Sequence, residues 1–101
     1  MTPDEYVEAV LSLVERIPPG RVMTYGAIAD ALADASGRNS ARRVGTIMAQ
    51  HGGSVPWHRV VGAGGRLPPG HEVAARRRLE AEGMVFTGER APKSAILTSL
   101  D

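Results

Sequence analysis

Val55-Pro56-Trp57-His58-Arg59-Val60-Val61 holds the chain's one tryptophan, directly beside a histidine and an arginine. Proline fixes its own φ and pushes the residue before it toward extended geometry, so Trp57 is presented at a defined turn. Val60 and Val61 are β-branched and favour a short strand. Taken alone, the stretch reads as the start of a strand with a core tryptophan. Downstream, Gly62-Ala63-Gly64-Gly65 reads as a tight hairpin turn or wing, with Arg66-Leu67 returning and Pro68-Pro69-Gly70 ending the excursion. The pattern then predicts a helix over 71–82, with Val73, Ala74 and Leu79 inward and Gly83 as its C-terminal stop. Arg76-Arg77-Arg78 cannot all face one way on a helix. Met84-Val85-Phe86 is expected to pack back onto the core. The signal weakens from Thr87, so 87–101 reads as a loosely held tail.

Upstream, His51-Gly52-Gly53-Ser54 reads as a flexible loop. Before it, Val44, Ile47 and Met48 form the apolar side of a helix over 41–50, capped by Asn39 or Ser40. Arg42 and Arg43 sit in its first turn, where cations oppose the helix dipole at roughly a few tenths of a kcal/mol each. That placement points to an anionic partner. Ala41, Gly45 and Ala49 are small and would let this helix approach another surface closely. A polar turn over 34–39, containing Gly37, connects it to a helix over 25–33 that Thr24 caps, with Ile28, Ala29 and Leu32 inward. Tyr25 falls in that helix's first turn, where outward N–H groups attract phosphate. Arg21-Val22-Met23 reads as an extended connector after the Pro18-Pro19-Gly20 stop. Tyr6, Val7, Val10, Leu11, Val14 and Ile17 recur at helical spacing and predict a first helix over 3–16, started by Pro3 and a Thr2–Glu5 capping box. The fold expected is mainly α: a winged helix-turn-helix-like single domain over 1–101, with a short β-hairpin as wing.

Composition narrows the chemistry. A chain of 101 residues with 43% apolar content supports one small core. The absence of cysteine excludes disulfides, thiolate zinc sites and a thiol nucleophile. Three scattered histidines do not have metal-ligand spacing, so neither metal nor cofactor is expected. No apolar run approaches membrane-spanning length and no leader pattern is present, so a cytoplasmic, nucleoid-associated monomer without a membrane partner is expected. Net charge is +1 but unevenly spread: residues 36–79 carry eight arginines against Glu72 alone, whereas residues 1–35 carry two arginines against six acids. A central arginine block of this kind suits a polyanion.

Five pieces occur in order: Ile17 to Gly26, Ala41-Arg42-Arg43-Val44-Gly45, Pro56-Trp57-His58-Arg59-Val60-Val61, Gly64-Gly65, and Leu79-Glu80-Ala81-Glu82-Gly83. Over residues 4–86 this resembles the DNA-binding domain of the O6-alkylguanine-DNA alkyltransferases, which carry Pro-Cys-His-Arg-Val at the third piece. Trp57 stands where the alkyl-accepting cysteine belongs. Together with the missing N-terminal domain, that substitution resembles the alkyltransferase-like proteins, which bind alkylated guanine without repairing it and pass the lesion to nucleotide excision repair. Direct transfer needs a thiolate, and an indole has no comparable nucleophilic lone pair.

The resemblance implies a set of roles. Tyr25, Ser40, Ala41, Arg42, Arg43 and Gly45 would bind double-stranded DNA, with the helix from Ala41 in the minor groove. Arg42 would fill the space left by a flipped guanine, and Tyr25 would crowd the 3′ phosphate. Tyr25, Met48, Trp57, Val60, Arg66 and Gly70 would form the lesion pocket, with Arg66 as the basic residue nearest its wall. His58 and Glu82 would be a structural remnant of the family's proton relay, leaving no catalytic residue, and Arg59 would tie the loop down. Departures from the family pattern are His51 in place of a hinge asparagine, a shorter loop before Pro56, and a remodelled wall at Pro68-Pro69-Gly70. The implied partners are DNA containing O6-alkylguanine and nucleotide excision repair proteins of the UvrA type. Two other functions fit parts of the pattern: a winged-helix regulator reading operator sequence, and a water-dependent dealkylase using His58 and Glu82.

Overall fold

Four helices and a small parallel sheet make up the fold, described here for residues 2–33 and 40–100 of a computed structural model. In chain order the elements are α1 (Pro3–Glu15), β1 (Val22–Thr24), α2 (Tyr25–Ala31), α3 (Ala41–His51), β2 (Val60–Val61), α4 (Glu72–Ala81) and β3 (Ile96–Leu97). The polar turn expected over 34–39, and with it the choice of Asn39 as a cap, lies outside the described residues. The helix starts follow side-chain capping. Thr2 and Glu5 close the expected capping box on α1, the Thr24 hydroxyl accepts from the Ala27 N–H at 3.0 Å, and Ser40 accepts from the Arg43 N–H at 3.3 Å.

The sheet orders its strands β2-β1-β3, both neighbours parallel to β1, with Met23 opposite Val60 and Val22 opposite Ile96. Side chains alternate across a strand, and here that alternation divides the core in two. Met23 and Val60 join Tyr6, Val10, Leu13, Val14, Ile17, Ile28, Val44 and Ile47 on the α1–α3 side. Val22 and Val61 join Leu67, Ala75, Leu79, Met84, Ala91 and Ala95 on the other. Strands covered on both faces are the usual setting for parallel pairing.

The structure corrects several expectations. Arg21-Val22-Met23 is no mere connector; Val22 and Met23 belong to the central strand. No β-hairpin follows Val61: Ala63–Gly65 forms a 3-10 turn with Gly64 at φ +71°, the Gly65 N–H donating to the Gly62 carbonyl at 3.0 Å and the Gly62 N–H to the Arg66 carbonyl at 2.7 Å, and Val60–Val61 pairs with β1 instead of a returning Arg66-Leu67. In place of a flexible loop over 51–54, His51 ends α3 and Gly52–Ser54 form a 3-10 turn with Gly52 buried. On α4 the inward face carries Ala75 and Leu79, four residues apart, while Val73 is 69% exposed and Ala74 also faces solvent. Met84 is buried and Phe86 packs on the core, but Val85 between them points outward, as alternation in an extended chain requires.

The chain after Thr87 is not a loose tail. Ala91 and Ala95 are core residues, Ile96–Leu97 completes the sheet, and the Arg21 guanidinium donates to the Ser94 carbonyl at 2.9 Å. Its anchor is the Ala91 N–H, which donates to the Gly65 carbonyl at 2.9 Å. Gly65 has φ +90°, and a Cβ there would meet the Ala91 carbonyl oxygen at 2.6 Å. Both the backbone conformation and the close approach need glycine. Gly65→Ala is therefore expected to cost about 2 kcal/mol or more, read as a lower urea midpoint. A change within a few tenths of a kcal/mol would refute the anchor.

Candidate nucleic-acid interface

α2 and α3 bring their small and aromatic residues to one side of the molecule. Gly45, Met48 and Ala49 of α3, Tyr25 at the start of α2, and Gly52 and Gly53 of the following turn line one wall of a pocket of about 640 Å³. Trp57, Val60, Pro68, Pro69 and His71 line the rest. Tyr25, Met48, Trp57 and Val60 are thus brought together as their sequence positions implied. Gly70 lies between two lining residues without lining the pocket itself. Arg66 is not brought here: it borders a separate hollow with Glu72, Arg76, Glu89 and Arg90. His71 and Pro68 lead the chain into α4, and no sequence signal marked His71. Ala49 was marked by its small-residue spacing from Gly45.

The exposed end of α3 carries Ser40, Ala41 and Arg42. Arg42 shares a helix face with Gly45 and Ala49, at spacings of three and seven residues. Among the described residues its guanidinium has no hydrogen-bond or ionic partner. Arg43 is half-buried, with its guanidinium over the Tyr6 ring at 5.1 Å from the centroid. That cation–π contact offsets the unfavourable placement of a cation in the first turn. Burial pushes the Tyr25 hydroxyl up from its ordinary range, so it stays protonated and able to donate at neutral pH.

Beneath the pocket, Trp57–Arg59 form a 3-10 turn that feeds β2. His58 Nε2 lies 2.7 Å from Glu82 Oε2, and the same oxygen accepts from Arg59 Nη2 at 2.7 Å. Glu82 Oε1 accepts from the Gly20 N–H at 2.9 Å, and Arg59 Nη1 donates to the Ile17 carbonyl at 2.9 Å. Burial opposes ionisation of Glu82, but the hydrogen bonds from Arg59, Gly20 and His58 outweigh it and hold the carboxyl at about 2. One carboxylate therefore joins the end of α4, the α1–β1 turn and the Trp57 loop. Arg59 ties that loop down, as expected.

Residues 5–84 match the 6-O-methylguanine DNA methyltransferase DNA-binding domain. The chain belongs to this family. A DNA base-flipping protein of Escherichia coli K12 is 35% identical over 89 residues, covering 84% of this chain and 67% of that protein. One from Vibrio parahaemolyticus is 32% identical, covering 80% and 82%. Among solved structures, S. pombe Atl1 in complex with damaged DNA containing O6-carboxymethylguanine superposes with a TM-score of 0.80 at 30% identity, covering 96% of this chain and 98% of that one. The family's mainly helical fold with its small parallel sheet is thus the fold found here. No helix among the described residues is long and apolar enough to cross a membrane, and no group of three His, Cys, Asp or Glu there could hold a metal ion.

Proposed function

We propose that this chain recognises O6-alkylguanine in duplex DNA by flipping the nucleotide into the pocket between α3 and Trp57, without removing the alkyl group. The observation that carries the reading is the pocket itself: about 640 Å³, mostly apolar, opening beside the small-sided helix that bears Arg42, with an indole in its wall. Sites that enclose small planar ligands fall in a range of about 300–1,000 Å³. Arg42 would enter the base stack, Tyr25 would crowd the neighbouring phosphate, and Met48, Trp57 and Val60 would enclose the extruded base. Flipping costs a few kcal/mol, less for a weakened alkylated pair, so the lesion itself supplies part of the selectivity. The damaged DNA in the S. pombe complex and the base-flipping relatives support the assignment.

The chain has no cysteine, so the family's transfer to a thiolate is not open to it. His58 does not line the pocket, which speaks against water activation at a bound alkyl group. The bound lesion would then be passed to nucleotide excision repair in the cytoplasm, through a UvrA-type protein. Titration with duplexes carrying O6-methylguanine or plain guanine tests the reading through Trp57 emission. The lesion duplex should bind more tightly and change the emission more, and the oligonucleotide mass should be unchanged after incubation. Equal responses to the two duplexes would sink lesion recognition, and loss of the alkyl mass would sink the non-enzymatic reading.

A further inference from the structure

Trp57 is held in part by a residue that does not line the pocket. The Arg78 guanidinium lies over the indole, 5.1 Å from the ring centroid. Trp57 lines the pocket, whereas Arg78 is not among its lining residues. Two imidazoles complete the grip: His71 at 5.7 Å and 63°, and His58 at 6.1 Å and 87°, both edge-type contacts. His58 is itself locked to Glu82, so the indole is confined from several directions.

The arginine triplet of α4 is thereby sorted. Arg76 pairs with Glu80 at 3.4 Å and lies over Phe86 at 4.7 Å. Arg77 is exposed. Arg78 has no hydrogen-bond or ionic partner among the described residues; its one described contact is with the indole. It stands in the last turn of α4, where the helix dipole favours a cation.

We propose that Arg78 is a positioning and specificity-determining residue for the flipped base, acting through Trp57. The face of an indole is the negative side of its quadrupole, and so is the π-face of an electron-rich purine, so stacking the two carries an electrostatic penalty. A guanidinium over the ring, from a residue outside the pocket lining, draws ring density toward itself and lowers that penalty for a base stacked on the indole. It also holds the ring in place before the base arrives, so little ordering is left to be done on binding. The inference rests on the lesion-binding reading above.

The test uses the full chain with Arg78→Met and Arg78→Lys, both of which keep a long stem and good helix propensity. Each is titrated against O6-methylguanine and plain duplexes at several salt concentrations, and Trp57 emission is recorded without DNA. For Arg78→Met, affinity for the lesion duplex should fall about two- to fivefold, as expected for an exposed cation–π contact. Affinity for the plain duplex and the salt slope should not change, and Trp57 emission should shift in the free protein. Arg78→Lys should restore much of the lost discrimination. An equal loss on both duplexes, with the salt slope falling by about one, would make Arg78 a phosphate contact and overturn the proposal. So would unchanged lesion affinity despite shifted emission. If the unaltered protein itself fails to discriminate, the lesion reading has failed, whereas discrimination that survives Arg78→Met rejects the role of Arg78 alone.

Discussion

Glu82→Ala is expected to destabilise the fold by about 3–5 kcal/mol, the range for removing one partner of a buried, hydrogen-bonded ion pair. The loss is large because the Glu82 carboxylate binds three groups from two other parts of the chain: the neighbouring His58 and Arg59 side chains, and the Gly20 N–H. Without it the Arg59 guanidinium is left largely buried with only the Ile17 carbonyl to bind. The turn that carries Trp57 would loosen at the same time, so lesion binding should weaken along with stability. Urea unfolding checks the magnitude, and a cost below about 1 kcal/mol would show that the cluster does not hold the fold together.

The same carboxylate predicts an acid limb. Its pKa falls from the ordinary 4.5 to about 2 on folding. A group whose folded pKa is depressed contributes its stability above the unfolded value and loses it as pH falls toward the folded one. About 3 kcal/mol should therefore disappear progressively between about pH 4.5 and 2. Glu82→Gln keeps the shape but not the charge, and should flatten that limb. A Glu82→Gln protein with the same slope in this window would assign the acid limb to other carboxylates.

Arg42→Ala is expected to weaken binding to an O6-methylguanine duplex about 30- to 100-fold, the scale of an arginine hot spot. Arg42 is exposed, unpartnered among the described residues and one turn from the pocket-lining Gly45, so its loss should leave stability nearly unchanged. Its proposed work is to occupy the stack vacated by the base, which needs a planar cation. Arg42→Lys should therefore recover the phosphate attraction but only part of the affinity. A 2-aminopurine reporter next to the lesion would brighten on unstacking with the unaltered protein and stay dim with Arg42→Ala. Full affinity and full unstacking in Arg42→Ala would remove the residue from the flipping step.

Much of this protein is legible along the chain because the relevant physics is local. Thr2, Thr24 and Ser40 announce helix starts by capping their own first turns, and the 3.6-residue spacing of Tyr6, Val10 and Val14 shows the buried face of α1. The absence of cysteine settles at once that no thiolate can accept an alkyl group. The ordered pieces around Trp57 and Arg42 carry the family resemblance within the sequence itself. Long-range pairing was not legible. Strands of two or three residues are too short for an alternating pattern, so the partners of Val60–Val61 and the place of Ile96–Leu97 appear only when β1 is seen between them. Arg43 and Arg42 are neighbours with the same chemistry, and only packing against Tyr6 separates them. Likewise Arg66 stands nearest the pocket wall by sequence position, whereas folding puts it on a different hollow, brings His71 into the pocket lining and lays Arg78 over the indole. The sequence by itself determined the helices, the family and the chemistry excluded at position 57. The tertiary structure decided which arginines face the solvent, which cover rings, and how one carboxylate holds the pocket floor, because contacts between residues far apart in the chain leave no local periodicity to read.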